Sequence, residues 1–481
     1  MFRPFGSERS QGSSQPRASW RRCVASVLPE ETRLAYDALR TLLEMLEVFR
    51  PALTRPGFSN LLVIFSGWVL TSGPHAITQA LVVTGVAGRR HHEAFHRFFS
   101  RGAWSVDEMG RLLFCALSKW LPPDHPIRLV IDDTVAAHKG PKIFGLGTHL
   151  DAVRSTRAIR ILTFGHCWVV LAVLVPVPFS QRPWALPILL RLYRNEKQCR
   201  REKIKHRKKT QLAREMIDVV LSWVDSRRVE VTADQAYCNS TVLRDLPTSV
   251  LFLGDMRPDA VLTAPPAAKG KVPGRPRVRG EVLPKPQALA DDEKVPWKRT
   301  TAKLYGRTQA IYYKTLTGQW YRATGSRILR VVVVRIDTGK IGIRVFFSTD
   351  PRVSIRYLLE GYARRWSIEV CFRDIKQLLG FSDSSARKRE AVERIAPLVA
   401  LTYTTLTLWF AREIHCTEIA TPPERPWYGH KQGLCFADIL RAAQRTLLPL
   451  DVLDPQRSLD NLRESSAPAC GPPTAARRQA A

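Results

Sequence analysis

One stretch of the sequence, Tyr357–Lys376, constrains the fold more than any other, because it joins a helical pattern to an unusual set of polar side chains. It contains no glycine or proline after Gly361 and is rich in strong helix formers, which predicts one helix over Tyr362–Leu379. At roughly 100° per residue, four polar side chains then point within an arc of about 60°. These side chains are Tyr362, Arg365, Glu369 and Lys376.

An apolar stripe with core spacing lies roughly 80° further round the same helix. Its members are Ile368, Phe372, Ile375 and Leu379. The polar face therefore lies at the edge of the buried face, where a carboxylate can be held rigidly and still reach solvent. The ordinary alternative is a solvated face with ion pairs four residues apart, such as Arg365 with Glu369.

Two further acidic positions follow short apolar runs. Ile127–Ile131 is a run of buried-strand type, and Asp132 and Asp133 come directly after it. Adjacent acids at the end of a buried strand cost free energy unless they bind a cation or accept hydrogen bonds. An Asx-type turn after the strand is the structural alternative.

The second of these two acidic positions is Asp234, which ends a predicted strand that begins at Val229. An acid at the carboxyl end of a strand, beside the small residues Ala233 and Ala236, is typical of a functional site. A structural turn is the alternative interpretation here as well.

The spacing Tyr-x2-Arg-x3-Glu-x6-Lys that ends at Lys376 resembles the Tyr-Arg-Glu-Lys signature of DDE transposases from bacterial insertion sequences. The resemblance extends from about Pro51 to about Leu448 and is specific only at the acidic motifs. In the family, the first acid follows apolar residues and precedes Thr or Ser by two positions, which implies Asp132, with Asp133 as the alternative.

The other two acids follow from the same resemblance. The second acid of the family stands in a strand-Asp-x-x-Tyr context, which Asp234 and Tyr237 match. The third acid is the Glu of the signature, Glu369. The resemblance thus implies Asp132, Asp234 and Glu369 as catalytic residues and metal ligands.

The resemblance implies an α/β fold in which an RNase H-like mixed-sheet catalytic core carries a helical N-terminal region and a β-rich insertion. It implies a transposase that cuts the ends of its insertion sequence and transfers 3′-hydroxyls to target DNA. Two Mg²⁺ or Mn²⁺ ions about 3.5–4 Å apart would serve both ends of the in-line displacement. Hard cations of this kind prefer carboxylate oxygens.

The family resemblance also implies partners and a location. We expect double-stranded DNA, both as terminal inverted repeats and as target, a homodimer in the synaptic complex, and a cytoplasmic, nucleoid-associated protein in a bacterium. Two alternatives remain open at this level: a non-catalytic DNA-binding protein derived from a transposase, and an RNase H-like nuclease without strand transfer.

The charge of the chain agrees with a polyanionic partner. With 74 Lys and Arg against 43 Asp and Glu, the net charge is +31 over 481 residues. Nucleic acid is the simplest such partner, and an anionic membrane surface is the rival. The longest apolar runs, Leu61–Leu70 and Trp168–Phe179, are too short to span a bilayer. The nine cysteines form no CxxC pairs, which disfavours a zinc site and a disulfide framework.

Several cations are candidate DNA contacts. The segment 194–214 is strongly basic and is interpreted either as a phosphate-contacting loop or as a solvated helix start. Gly274–Arg277 resembles the AT-hook core, which inserts into narrow minor grooves, although a basic linker has the same composition. The signature helix adds three residues near the scissile phosphate. The full set is Lys205, Arg207, Lys208, Lys209, Arg275, Arg277, Tyr362, Arg365 and Lys376.

Composition divides the chain into seven segments. An aromatic residue of the insertion stacks on a displaced base in the family, and Trp297 and Trp320 are the candidates, although core packing is the default for Trp320. The segments are a disordered basic N-terminus (1–28), a helical DNA-binding region (29–122), the first part of the core (123–262), the β-rich insertion (263–348), the catalytic helix and the helix after it (349–412), a C-terminal helical region (413–454) and a disordered tail (455–481).

Overall fold

The fold is described from a computed structural model. It describes residues 30–140, 142–151, 155–156, 158–266, 277–336, 342–423, 427 and 433–448. The predicted tails, 1–28 and 455–481, and the candidate Arg275 lie outside these residues.

The N-terminal region is helical, as expected from its hydrophobic spacing. The helix α2 is apolar on nearly every side and is accordingly buried among the others. Within the described residues, no helix combines the length and the apolar character needed to cross a bilayer. The helices are α1 (Glu30–Glu47), α2 (Arg55–Leu70), α3 (Ile77–Val83), α4 (Glu93–Ser100) and α5 (Val106–Trp120).

A mixed sheet follows these helices. Its first strands lie in the order β4-β3-β1-β5-β6, in which β3 is antiparallel to β1 and β4, whereas β1, β5 and β6 are parallel. This order is that of an RNase H-like core, so the predicted fold class is confirmed. The strands are β1 (Ile127–Ala137), β2 (Gly147–Leu150), β3 (Leu162–Val175), β4 (Trp184–Tyr193), β5 (Val229–Ala233) and β6 (Val250–Met256).

The β-rich insertion continues this sheet instead of forming a separate one. Its last strand, β10, pairs antiparallel with β6, and the order then runs β10-β9-β8-β7. The strands are β7 (Lys298–Leu304), β8 (Arg307–Gln319), β9 (Ile328–Ile336) and β10 (Arg344–Ser348). The connecting helices of the sheet are α6 (Glu196–Arg201), α7 (Lys209–Leu221), α8 (Ser240–Leu243), α9 (Pro286–Asp291) and α10 (Tyr321–Thr324).

The signature segment forms two helices, so the prediction of one helix over Tyr362–Leu379 is wrong at its start. Helix α11 (Ile355–Ala363) ends before the arginine of the signature, and α12 (Trp366–Leu378) begins after it. Between them, the amide of Arg365 donates to the carbonyl of Tyr362 at 3.0 Å, a three-residue turn that is tighter than an α-helical one.

Two long helices close the structure and join its distant parts. Helices α13 (Arg389–Trp409) and α14 (Phe436–Leu447) pack against the N-terminal helices. The indole of Trp68 donates to the carbonyl of Leu379 at 3.2 Å, and the indole of Trp409 donates to that of Ala38 at 3.1 Å. The N-terminal region and the core therefore share one hydrophobic interior.

One close approach in the sheet gives a test of this fold. A Cβ on Gly165 in β3 would lie 2.0 Å from the carbonyl oxygen of Ala136 in β1. Because backbone atoms cannot yield cheaply, Gly165→Ala is expected to lower the free energy of unfolding by about 1–3 kcal/mol in chemical denaturation. Gly73→Ala is the control, since no atom lies within 4 Å of its Cβ. Equal stabilities of the two variants would contradict this packing.

Candidate active site

The strand register brings acidic residues to one level of the sheet. The parallel ladder between β1 and β5 ends with the pair Ile131 and Ala233; Asp132 is the next residue of β1, and Asp234 follows the end of β5 directly. Strand β1 does not stop there, as the sequence suggested, but continues along β3 to Ala137. The two acids therefore lie where β5 ends; beyond this point β1 still pairs with β3 but no longer with β5.

The adjacent acids Asp132 and Asp133 point to opposite faces of β1, because side chains alternate along a strand. Asp132 Oδ2 accepts a hydrogen bond from Arg365 Nη1 at 2.6 Å. Asp133 instead accepts from Lys209 Nζ at 2.6 Å and from the Tyr237 hydroxyl at 2.8 Å. It is thus Asp132 that lies on the side of the signature helix.

Arg365 joins the first and third predicted acids. Its Nη2 donates to Glu369 Oε1 at 2.8 Å, while Nη1 holds Asp132. Only 15% of its side chain is exposed, so the pair is shielded from water. The structure therefore places Arg365 on the carboxylates of the site, and its predicted contact with a phosphate stays a prediction.

Burial dominates the electrostatics of the two aspartates. It raises the pKa of Asp132 to about 7; the positive charge of Arg365 opposes this rise, and the charges of Asp234 and Asp133 add to it. Burial also raises the pKa of Asp234, again against the effect of Arg365. Asp132 and Glu369 thus bind one guanidinium, and Asp234 is close enough for its charge to interact with that guanidinium.

A fourth acid, Asp255, was not predicted. It continues the row that Asp132 and Asp234 form across the sheet, where the parallel pairing ends. In β6, Gly254 pairs with Ala233, so Asp255 stands beside Asp234 and its charge raises the pKa of that neighbour further. Its Oδ2 accepts from Arg344 at 3.0 Å, and its buried Oδ1 has no hydrogen-bond partner in the structure. A sequence signal was available: like the first two strands of this row, β6 is apolar up to an aspartate.

The first residue of the signature, Tyr362, lies on a different helix from Glu369. The ring of Tyr362 is buried against Phe346 at 4.7 Å, and burial raises the pKa of its hydroxyl. Burial lowers the pKa of the Lys376 ammonium. The predicted polar face loses Tyr362, because the turn at Arg365 changes the direction of the chain between Tyr362 and Glu369. Glu369 and Lys376 remain seven residues apart on α12.

The basic segment after β4 divides into paired and exposed cations. The predicted DNA contact Lys209 is paired with Asp133, and Arg207, although exposed, forms an ion pair with Glu215. Their contacts with DNA stay predictions. Lys205 and Lys208 are exposed, and so is Arg277.

The two candidate tryptophans pack within the insertion. Trp297 lies under the cations of Lys314 and Arg335, and Trp320 meets Phe347 edge-on at 5.6 Å. Two exposed aromatic residues, Tyr305 and Trp366, lie near the signature helix and line a cavity of about 330 Å³. Their ring centroids are 6.0 Å apart.

The carboxylates have the chemistry that Mg²⁺ and Mn²⁺ require, since all their donors are hard oxygens. Their arrangement does not fit such an ion directly: over the described part of the chain, no three His, Cys, Asp or Glu side chains lie close enough together to hold a metal. The guanidinium of Arg365, between Asp132 and Glu369, accounts for this difference.

Residues 48–317 match the family described as DDE superfamily endonuclease, and residues 318–414 match one described as archaeal putative transposase ISC1217. Among solved structures, the chain is similar to piggyBac transposase in its synaptic complex with hairpin DNA. The identity is 10%, the TM-score is 0.40, and the match covers 94% of this chain and 86% of that one. No curated protein matches.

The opposite face of β1 gives a prediction about stability. Replacing Asp133 with Asn removes the carboxylate that pairs with Lys209 and is expected to lower the free energy of unfolding by roughly 3 kcal/mol. The double variant Asp133→Asn/Lys209→Met should lose less than the sum of the single losses, by about 1–3 kcal/mol. Chemical denaturation measures all three.

The control for this cycle is Asp259→Asn, which breaks the exposed pair with Arg257. Its effect should stay within about 0.5 kcal/mol. Additive losses for Asp133 and Lys209 would show that their contact is not a stabilising one.

Proposed function

The chain belongs to the DDE superfamily endonuclease family, and from this premise we propose that it is the transposase of a mobile DNA element. The proposed reaction is cleavage at the terminal inverted repeats of the element, followed by transfer of the 3′-hydroxyl ends to target DNA. The observation that carries the proposal is the pairing of Asp132 and Glu369 with one buried cation whose charge also acts on Asp234.

Phosphoryl transfer needs negative groups that are held rigidly in place. Asp132 is fixed by pairing of β1 with β3, Asp234 by the turn after β5, where its Oδ1 accepts from the amide of Ala236 at 3.1 Å, and Glu369 by the first turn of α12. We assign to these three acids the binding of two divalent cations. Such ions, when bound, activate the attacking oxygen and neutralise charge on the phosphate.

The proposed substrate is double-stranded DNA, bound by a homodimer. The net charge of +31 supports a polyanionic ligand. The exposed cations of the basic segment supply part of the protein surface that would bind it. Lys205, Lys208 and Arg277 are exposed and suited to contact phosphates, whereas Lys209 is held within the protein.

A cleavage and joining assay tests the catalytic proposal. Asp234→Asn is expected to lower the rate of cleavage at element ends at least about a thousandfold, roughly 4 kcal/mol of barrier, while DNA binding is nearly unchanged. The exposed Asp259→Asn is the isosteric control and should cleave normally.

The same assay separates the alternatives. Wild-type rates for Asp234→Asn would exclude the proposed role of this residue. Cleavage without joined product would indicate a nuclease, and binding without cleavage by the wild type would indicate a DNA-binding derivative.

A salt titration tests the interface. The variant Lys205→Gln/Lys208→Gln is expected to reduce the slope of log affinity against log salt concentration by up to about two units, since each contacted phosphate contributes about 0.9. The charge-conserving variant Lys205→Arg/Lys208→Arg should keep the wild-type slope. Equal slopes for the Gln variant and the wild type would remove this segment from the interface.

A further inference from the structure

The guanidinium of Arg365 occupies the centre of the acidic site. It lies 2.6 Å from Asp132 Oδ2 and 2.8 Å from Glu369 Oε1, so it holds two carboxylates from distant parts of the chain at once. This bridging of two carboxylates by one cation is the task expected of a bound metal ion. The arginine is therefore a protein cation in the place where the proposed reaction needs divalent ones.

The bridge leaves the acidic site short of positive charge. Arg365 brings a single positive charge to Asp132, Asp234 and Glu369, and Arg344 accounts for Asp255 separately. Its own Nε is buried and has no hydrogen-bond partner among the residues that the structure describes. Buried charges and donors left incompletely paired raise the free energy of this state, which favours an exchange of partners.

The position of Arg365 in the chain suits such an exchange. It lies in the short turn between α11 and α12, outside both regular helices. A guanidinium matches the geometry of a phosphate as well as that of a carboxylate, and it binds either by two parallel hydrogen bonds. A DNA phosphate that approaches the site offers Arg365 an equivalent partner.

We propose that Arg365 holds Asp132 and Glu369 together in the DNA-free protein and that a DNA phosphate draws it away, so that DNA and divalent cations strengthen each other's binding. The inference rests on the proposed function, because it takes the DNA substrate from it. By thermodynamic linkage, the factor by which DNA tightens cation binding equals the factor by which cations tighten DNA binding.

The first experiment uses the full-length wild-type protein. The affinity for a fluorescently labelled duplex of the element end is measured by anisotropy with and without Mn²⁺, at low temperature and before cleavage occurs. We expect Mn²⁺ to tighten duplex binding at least about fivefold. A duplex affinity that Mn²⁺ leaves unchanged would overturn the inference, and this arm does not depend on the folding of any variant.

The second experiment measures Mn²⁺ binding to the DNA-free protein by calorimetry. Arg365→Gln should bind Mn²⁺ at least about tenfold more tightly than the wild type, because no internal cation competes for the acids, and Mn²⁺ should tighten its duplex binding less than that of the wild type. Arg365→Lys, which keeps the charge but cannot bridge two carboxylates by a fork, should lie between them.

The control is Arg352→Gln, whose side chain is 89% exposed and pairs with Asp350 on the surface. It should match the wild type in both measurements. Equal Mn²⁺ affinities for Arg365→Gln and the wild type would overturn the inference. Because both readouts are equilibrium affinities, the outcomes separate: loss of duplex binding removes the proposed function, whereas duplex binding and cleavage without coupling overturn this inference alone.

Discussion

The site depends on the point where a parallel ladder ends. Strands β1, β5 and β6 keep one register up to Ile131, Ala233 and Gly254, and each is followed directly by an aspartate. Since neighbouring parallel strands are about 4.8 Å apart, this register forces like charges together in a buried place. Such crowding raises the free energy of the folded state unless a cation is close by, and Arg365 is that cation in the DNA-free structure.

The opposite face of β1 explains why two acids are adjacent. Asp133 connects three elements, because it accepts hydrogen bonds from Lys209 at the start of α7 and from Tyr237 in the turn after Asp234. A shift in β1 would therefore strain the turn that carries Asp234. The two neighbours in the sequence have different tasks: Asp132 faces the site, and Asp133 fixes the backbone that presents Asp132 and Asp234.

Patterns within one element could be predicted from the sequence, whereas contacts between elements could not. The apolar runs before Asp132 and Asp234 predicted strands, and the β-rich stretch after β6 predicted an insertion. The prediction of a single signature helix was wrong, because helical spacing assumes an unbroken helix. It cannot predict that Arg365 binds Asp132, which lies on a strand far away in the sequence. Lys209 looked like a surface cation because its partner, Asp133, lies 76 positions earlier. The catalytic roles of the acids stay predictions.

The place of the insertion follows from the same charge balance. Its strand β10 covers the edge of β6 and carries Arg344, which pairs with Asp255 at 3.0 Å and lies over the ring of Tyr362. Without this strand, β6 would be an open edge, and Asp255 would lose the cation that pairs with it. The insertion is thus a structural part of the acidic site: Arg365 comes from the signature segment on one side, and Arg344 from the insertion on the other. Arg344 pairs with Asp255 whether or not Arg365 stays in place. When Arg365 leaves Asp132 and Glu369, Asp255 therefore keeps its cation and adds less to the repulsion between the remaining carboxylates.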